Sequence, residues 1–205
     1  MMTLSRPSYR RILPRLAAGV GALSMAGFWA GAAGADTRLL DQIHTIRASG
    51  LESFVAAERF GIGCIIGGRR LSAVGFNFKQ HFSSLVEVEV PAASLAVWNL
   101  RYTMGDAALL KEPASRLAHV YGVMEMGDAS AGHSDWRSNF AYVRSPVDHR
   151  LWAVHWSVNY DGEWTIGAAS VPHPDLNWPA GSRFFSAKPA APNPKTARSN
   201  APVGE

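Results

Sequence analysis

The chain has 205 residues, with 20 lysines and arginines against 16 aspartates and glutamates, a formal net charge of +4 and a pI near 9.5. That charge is not a nucleic-acid footprint, because Arg6, Arg10, Arg11 and Arg15 stand in a first stretch of 35 residues that holds no acid. The other sixteen bases face sixteen acids, which leaves no basic cluster for a phosphate backbone or an anionic membrane surface.

Residues 16–35 carry no charge, nominally enough to span a bilayer. Five are glycine and most of the rest alanine, and each glycine weakens a helix by roughly 1 kcal/mol relative to alanine. A basic start, a weakly apolar middle and Ala33-Gly34-Ala35 before Asp36 read as a cleavable export signal. Its removal leaves no stable membrane span. "YRRILPR" resembles a twin-arginine export signal at Arg10-Arg11, Leu13 and Arg15, and departs from it at Tyr9 and Pro14. A general secretory signal is the alternative; either implies a periplasmic or secreted protein.

After Asp36-Thr37, Leu39, Leu40, Ile43 and Ile46 fall at helical spacing, and "LESFVAAERF" reads as a further turn or two of helix. "FGIGCIIGGRRLSAVGFNF" is a β-hairpin turning at Gly67-Gly68. Cys64, the only cysteine, cannot form an intramolecular disulfide and reads as a small buried hydrophobe. "SSLVEVEVP" alternates as a strand with one dry and one wet face. "AASLAVWNLRYTM" fits helix or strand equally, "GDAALLKE" a short helix begun by Asp106, and "RLAHVYGVMEM" an extended segment.

Residues 127–139 have loop composition, and "NFAYVRS", "LWAVHWSVNY" and "EWTIGAASV" follow as strands. The expected fold is α+β, a mostly antiparallel sheet with N-terminal helices packed on one face. The expected division is an export signal over 1–35, one domain over 36–187, and a disordered Pro-rich tail over 188–205.

A two-residue turn at Asp161-Gly162 predicts that Tyr160 faces Glu163. One side of that hairpin then holds Trp152, Val154, Trp156 and Val158, opposite Gly167 and Ala169, which leave room for indole rings. The other side holds His155, Ser157 and Asn159 beside Trp164 and Ile166. It reads either as a wet sheet face or as a half-apolar cleft where hydrogen-bonding groups converge on a ligand.

His133, Asp135 and Trp136 in the long loop are further candidate ligand contacts. A single His-x-Asp is too short a pattern for zinc, which wants three or four spaced ligands. His149 and His173 read as a turn and a connector. No G-x-S-x-G elbow or phosphate loop occurs, and no metal or cofactor is expected. These features point to an exported binding or assembly module for a small molecule or an envelope protein, with no nucleic-acid partner. The alternatives are a periplasmic enzyme using His155 in a sheet-face cleft and a structural envelope component.

Overall fold

The computed structural model describes residues 39–135, 137–173 and 177–188. The expected leader, the Asp36-Thr37 cap, Trp136 and all of the expected tail but Lys188 lie outside those residues. In chain order the strands begin with β1 (Leu40–Ala48), β2 (Leu51–Val55), β3 (Ile65–Ile66) and β4 (Arg69–Val74). Next come β5 (Val86–Val90), β6 (Ala93–Leu100), β7 (Met104–Gly105) and β8 (Asn139–Arg144). β9 (Leu151–Val158), β10 (Trp164–Ser170), β11 (Asn177–Trp178) and β12 (Arg183–Ala187) complete them. Three short helices are interspersed: α1 (Ala56–Arg59), α2 (Phe76–Phe82) and α3 (Leu117–Met126).

Eight strands form one sheet in the order β1-β6-β12-β8-β9-β10-β4-β3. β12 runs parallel to β8 and β10 parallel to β4, while the other neighbours are antiparallel. β2 with β5, and β7 with β11, make two separate ribbons. This corrects the expected α+β fold. The sheet is large and mixed, and the few helices alternate with strands instead of forming an N-terminal layer.

The first departure is at residues 39–48, where a strand replaces the expected helix. β1 pairs with β6, and its register shifts between Gln42 and His44, leaving Ile43 as an exposed extra residue. A bulge swaps the side of the sheet on which later residues fall. Leu40, opposite Leu100, therefore packs into one core cluster, while Ile46, opposite Leu95, packs into the other. The inserted residue breaks the period of two and imitates a helical spacing. β6 buries residues on both sides, so it too lacks the alternation of a half-buried strand.

The second departure is α3, a helix where an extended segment is expected. Seven of its ten residues are buried, so no polar face marks its period. Val120, Tyr121, Gly122 and Val123 have modest or poor helix propensity, and tertiary packing overrides it. No side chain at the Arg116 cap serves its first turn; instead Glu87 of β5 accepts from the Ala118 N–H at 3.0 Å. β5 is a strand as expected, but its alternation does not sort dry from wet. Val86 and Val88 are 59% and 67% exposed, and only Val90 of the three valines is buried. Replacing Glu87 with alanine removes a remote cap and is expected to lower stability by about 1 kcal/mol. Urea unfolding checks this; an unchanged midpoint would show that the contact contributes nothing.

Two hairpins frame the far side of the sheet. β3 and β4 join through Gly67 and Gly68 at φ +55° and +80°, as a two-residue turn of this hand requires. The β9–β10 hairpin does not turn in two residues. The Asn159 N–H donates to Glu163 O at 2.8 Å, which leaves Tyr160, Asp161 and Gly162 as a three-residue loop with Gly162 at φ +77°. The Asn159 side-chain oxygen accepts from the Asp161 and Glu163 N–H groups and holds that loop. Every cross-strand pair is consequently displaced by one residue: Val158 faces Trp164, Trp156 faces Ile166, and His155 faces Gly167.

Candidate functional site

The central strands β12, β8, β9 and β10 present two different faces. One carries Trp152, Val154, Trp156, Val158, Trp164 and Ile166 into the larger core beneath the helices. The other carries Phe140, Tyr142, Ala153 and Phe184 into a smaller core, covered by Met104, Leu109 and Trp178. That cover is fastened by one buried carboxylate. Asp106, 3% exposed, opens a 3-10 turn over Asp106–Ala108. Its Oδ1 accepts from the Tyr142 hydroxyl at 2.7 Å and from Trp178 Nε1 at 3.0 Å. Its Oδ2 accepts from the His173 backbone N–H at 3.3 Å. Burial, followed by the hydrogen bond to Asp106, holds the Tyr142 phenol protonated far above its ordinary range. Trp178 then lies flat on Phe140, with ring centroids 3.8 Å apart and planes within 4°.

His155 sits beside this cover. Its ring centroid is 6.1 Å from that of Trp178, at an interplanar angle of 58°. The imidazole crosses the strand pair over Gly167, where a Cβ would stand 2.7 Å from both Cε1 and Nε2 of His155. Gly167 therefore makes room for an imidazole, not for the indole expected from sequence. The residue is half-buried, and neither ring nitrogen has a hydrogen-bond partner among the described residues. Burial alone lowers its pKa, with no carboxylate opposing it. At neutral pH the ring is thus an uncharged donor and acceptor facing a shelf of apolar rings.

This shift gives stability a pH dependence of known sign. With the folded pKa below the unfolded value of 6.5, the unfolded chain binds the proton first as pH falls. Stability is full above pH 6.5 and declines from there toward the folded pKa. NMR titration of the His155 ring is expected to give a pKa below 6.5. A value at or above 6.5 would show that the ring is solvated.

The other sequence candidates are dispersed. Ser157 remains on the His155 side and shares a hydrogen bond with Thr165 at 3.1 Å, its cross-strand partner. Asn159 is occupied by its own turn and donates to Ser72 Oγ at 3.2 Å. Trp164 and Ile166 are on the opposite face from His155, a consequence of the one-residue displacement. The Trp164 Nε1 donates to Ile66 O at 2.9 Å, and Arg69 lies over the indole at 5.8 Å.

His133 is buried and bonds through Nε2 to Gly181 O at 2.5 Å. Its backbone is clasped in both directions by the Asn139 side chain. Burial lowers the His133 pKa. Asp135, 4.0 Å from His133 Nδ1, is paired with Arg137 at 2.7 Å, which holds its carboxyl at about 2. These contacts tie His133 to Asn139 of β8 and to Gly181 before β12. Cys64 is half-buried, and its thiol meets Glu58 O at 3.3 Å.

Among the described residues no three His, Cys, Asp or Glu side chains gather to hold a metal, and no helix is long and apolar enough to cross a membrane. Asp106, Tyr142 and Trp178 escape sequence reasoning because Gly105-Asp106 reads as a helix start. Nothing local distinguishes a capping carboxylate from one driven inward by a tyrosine 36 residues away. Compared with protein-family models, curated proteins and solved structures, the chain finds no match.

Proposed function

We propose that this chain is an exported binding module whose small-molecule ligand docks on the shelf formed by His155, Gly167 and Trp178. The observation that supports this is the half-buried neutral imidazole, laid over a glycine beside an aromatic ring and without a hydrogen bond among the described residues. An unsatisfied donor and acceptor among apolar surfaces is the usual character of a ligand contact. Solvation of a wet sheet face accounts less well for the Trp178 ring beside it and for Phe140 at its cross-strand position. General acid–base catalysis would want a second group orienting the imidazole, and burial is the only influence on its titration, so binding is preferred to chemistry.

The test is an NMR fragment screen read at the His155 ring, with aromatic acids, phenols and amides as probes. Hits are expected to move His155 and leave His133 in place, and His155→Ala is expected to abolish them without a change in melting temperature. Hits that survive His155→Ala, or a His155 signal that no probe moves, would refute the shelf. Export rests on the leader reading: mature protein in the envelope fraction is expected to begin at Asp36, and a start at Met1 or Met2 would overturn it.

A further inference from the structure

On the opposite side of the sheet from His155, α1 and α3 enclose a recess of about 330 Å³ with the turn after β1. Its walls are Ser49, Leu51, Arg59, Tyr121, Glu125 and Met126, and its floor includes Gly122. The Tyr121 ring is fixed from behind by Phe54 and Phe60, at centroid distances of 5.8 and 5.7 Å. Arg59 stands over that ring at 5.4 Å. The Tyr121 hydroxyl donates to Glu125 Oε1 at 2.5 Å, which aims the carboxylate and leaves Oε2 without a hydrogen bond among the described residues.

Arg59 and Glu125 are opposite charges on one rim, yet no ion pair joins them, and Arg59 pairs with no other carboxylate among the described residues. A ligand that satisfied both would need an anionic and a cationic end close together. Leu51, Met126 and the Tyr121 ring offer it an apolar wall. The volume is at the bottom of the range for ligand pockets, roughly 300–1,000 Å³, which suits one amino acid and not a peptide or nucleotide. We propose that this recess binds a free α-amino acid with an apolar side chain, its carboxylate on Arg59, its ammonium on Glu125 Oε2 and its side chain against Leu51 and Met126. The planar guanidinium matches a carboxylate through two parallel hydrogen bonds.

Titration calorimetry with L-leucine, L-methionine and L-phenylalanine tests this, with N-acetyl-L-leucine and L-leucinamide as blocked controls. At least one free amino acid is expected to bind, and the blocked forms of leucine to bind about tenfold more weakly than leucine or worse, the loss of one charge-assisted contact. Arg59→Gln is expected to weaken the free amino acid while leaving leucinamide, which has no carboxylate to lose, unchanged. Gly122→Ala is a second variant: its methyl would meet Ala48 Cβ at an ordinary 3.6 Å, so the helix tolerates it while the recess shrinks. No heat at about 10 mM of any free amino acid, blocked forms as good as free ones, or binding indifferent to both substitutions would overturn the assignment. His155→Ala is expected to leave this binding intact, which separates it from the shelf.

Discussion

Asp106→Ala is expected to lower the unfolding free energy by about 3–5 kcal/mol, because two buried donors and one part-buried donor lose their acceptor. The Tyr142 hydroxyl, the Trp178 indole N–H and the His173 backbone N–H all point at this carboxylate. Each buried donor left bare costs about 1–3 kcal/mol, whereas one hydrogen bond removed with its donor costs about 1 kcal/mol. Tyr142→Phe is therefore expected to lose far less, since Asp106 keeps two donors. Urea unfolding of both variants at pH 7 measures the difference, and an Asp106→Ala loss no greater than that of Tyr142→Phe would mean that the carboxylate does not fasten the cover. Loosening Trp178 should also solvate its neighbour His155, so the His155 pKa is expected to return toward 6.5 in Asp106→Asn, the milder variant.

Gly67→Ala is expected to destabilise the chain by about 2–4 kcal/mol, combining left-handed backbone cost with a hard contact. A Cβ on Gly67 would lie 2.3 Å from Met124 O and 2.9 Å from Glu125 O, backbone atoms of the last turn of α3 that cannot rotate away. Gly68 provides the internal control. Its φ is also positive, +80°, but nothing lies within 4 Å of its added methyl, so Gly68→Ala is expected to cost only about 1–2 kcal/mol of backbone strain. Equal losses in the two variants would show that the hairpin turn does not press on α3. Because Glu125 and Met126 wall the amino-acid recess, Gly67→Ala is also expected to weaken leucine binding, and Gly68→Ala to spare it.

Local chemistry was legible from sequence. The Gly67-Gly68 turn needs two left-handed residues in a row, and few sequences other than a glycine pair supply them. Strands β8, β9 and β10 were readable in type because aromatic and β-branched residues crowd them. The β9–β10 register was missed by one residue because the Asn159 side chain ties a three-residue loop where the Asp161-Gly162 pair suggests two. That single residue moved Trp164 away from His155 and put Gly167 beneath it.

By itself the sequence determined which residues share a side of β9: Ala153, His155 and Ser157 stay together whatever they pair with, since side chains alternate every second residue along an unbulged strand. It equally determined the tight glycine turn. Only the tertiary structure decided that residues 40–48 are a bulged strand, that α3 is a helix, and what covers each face of the sheet. β6 and α3 are buried nearly all round, and burial on every side erases the polar rhythm from which an element can be recognised. The shelf around His155 was hidden for a related reason. Its cover comes from residues 104–109 and 177–178, held in place by a carboxylate whose partners are 36 and 72 residues away.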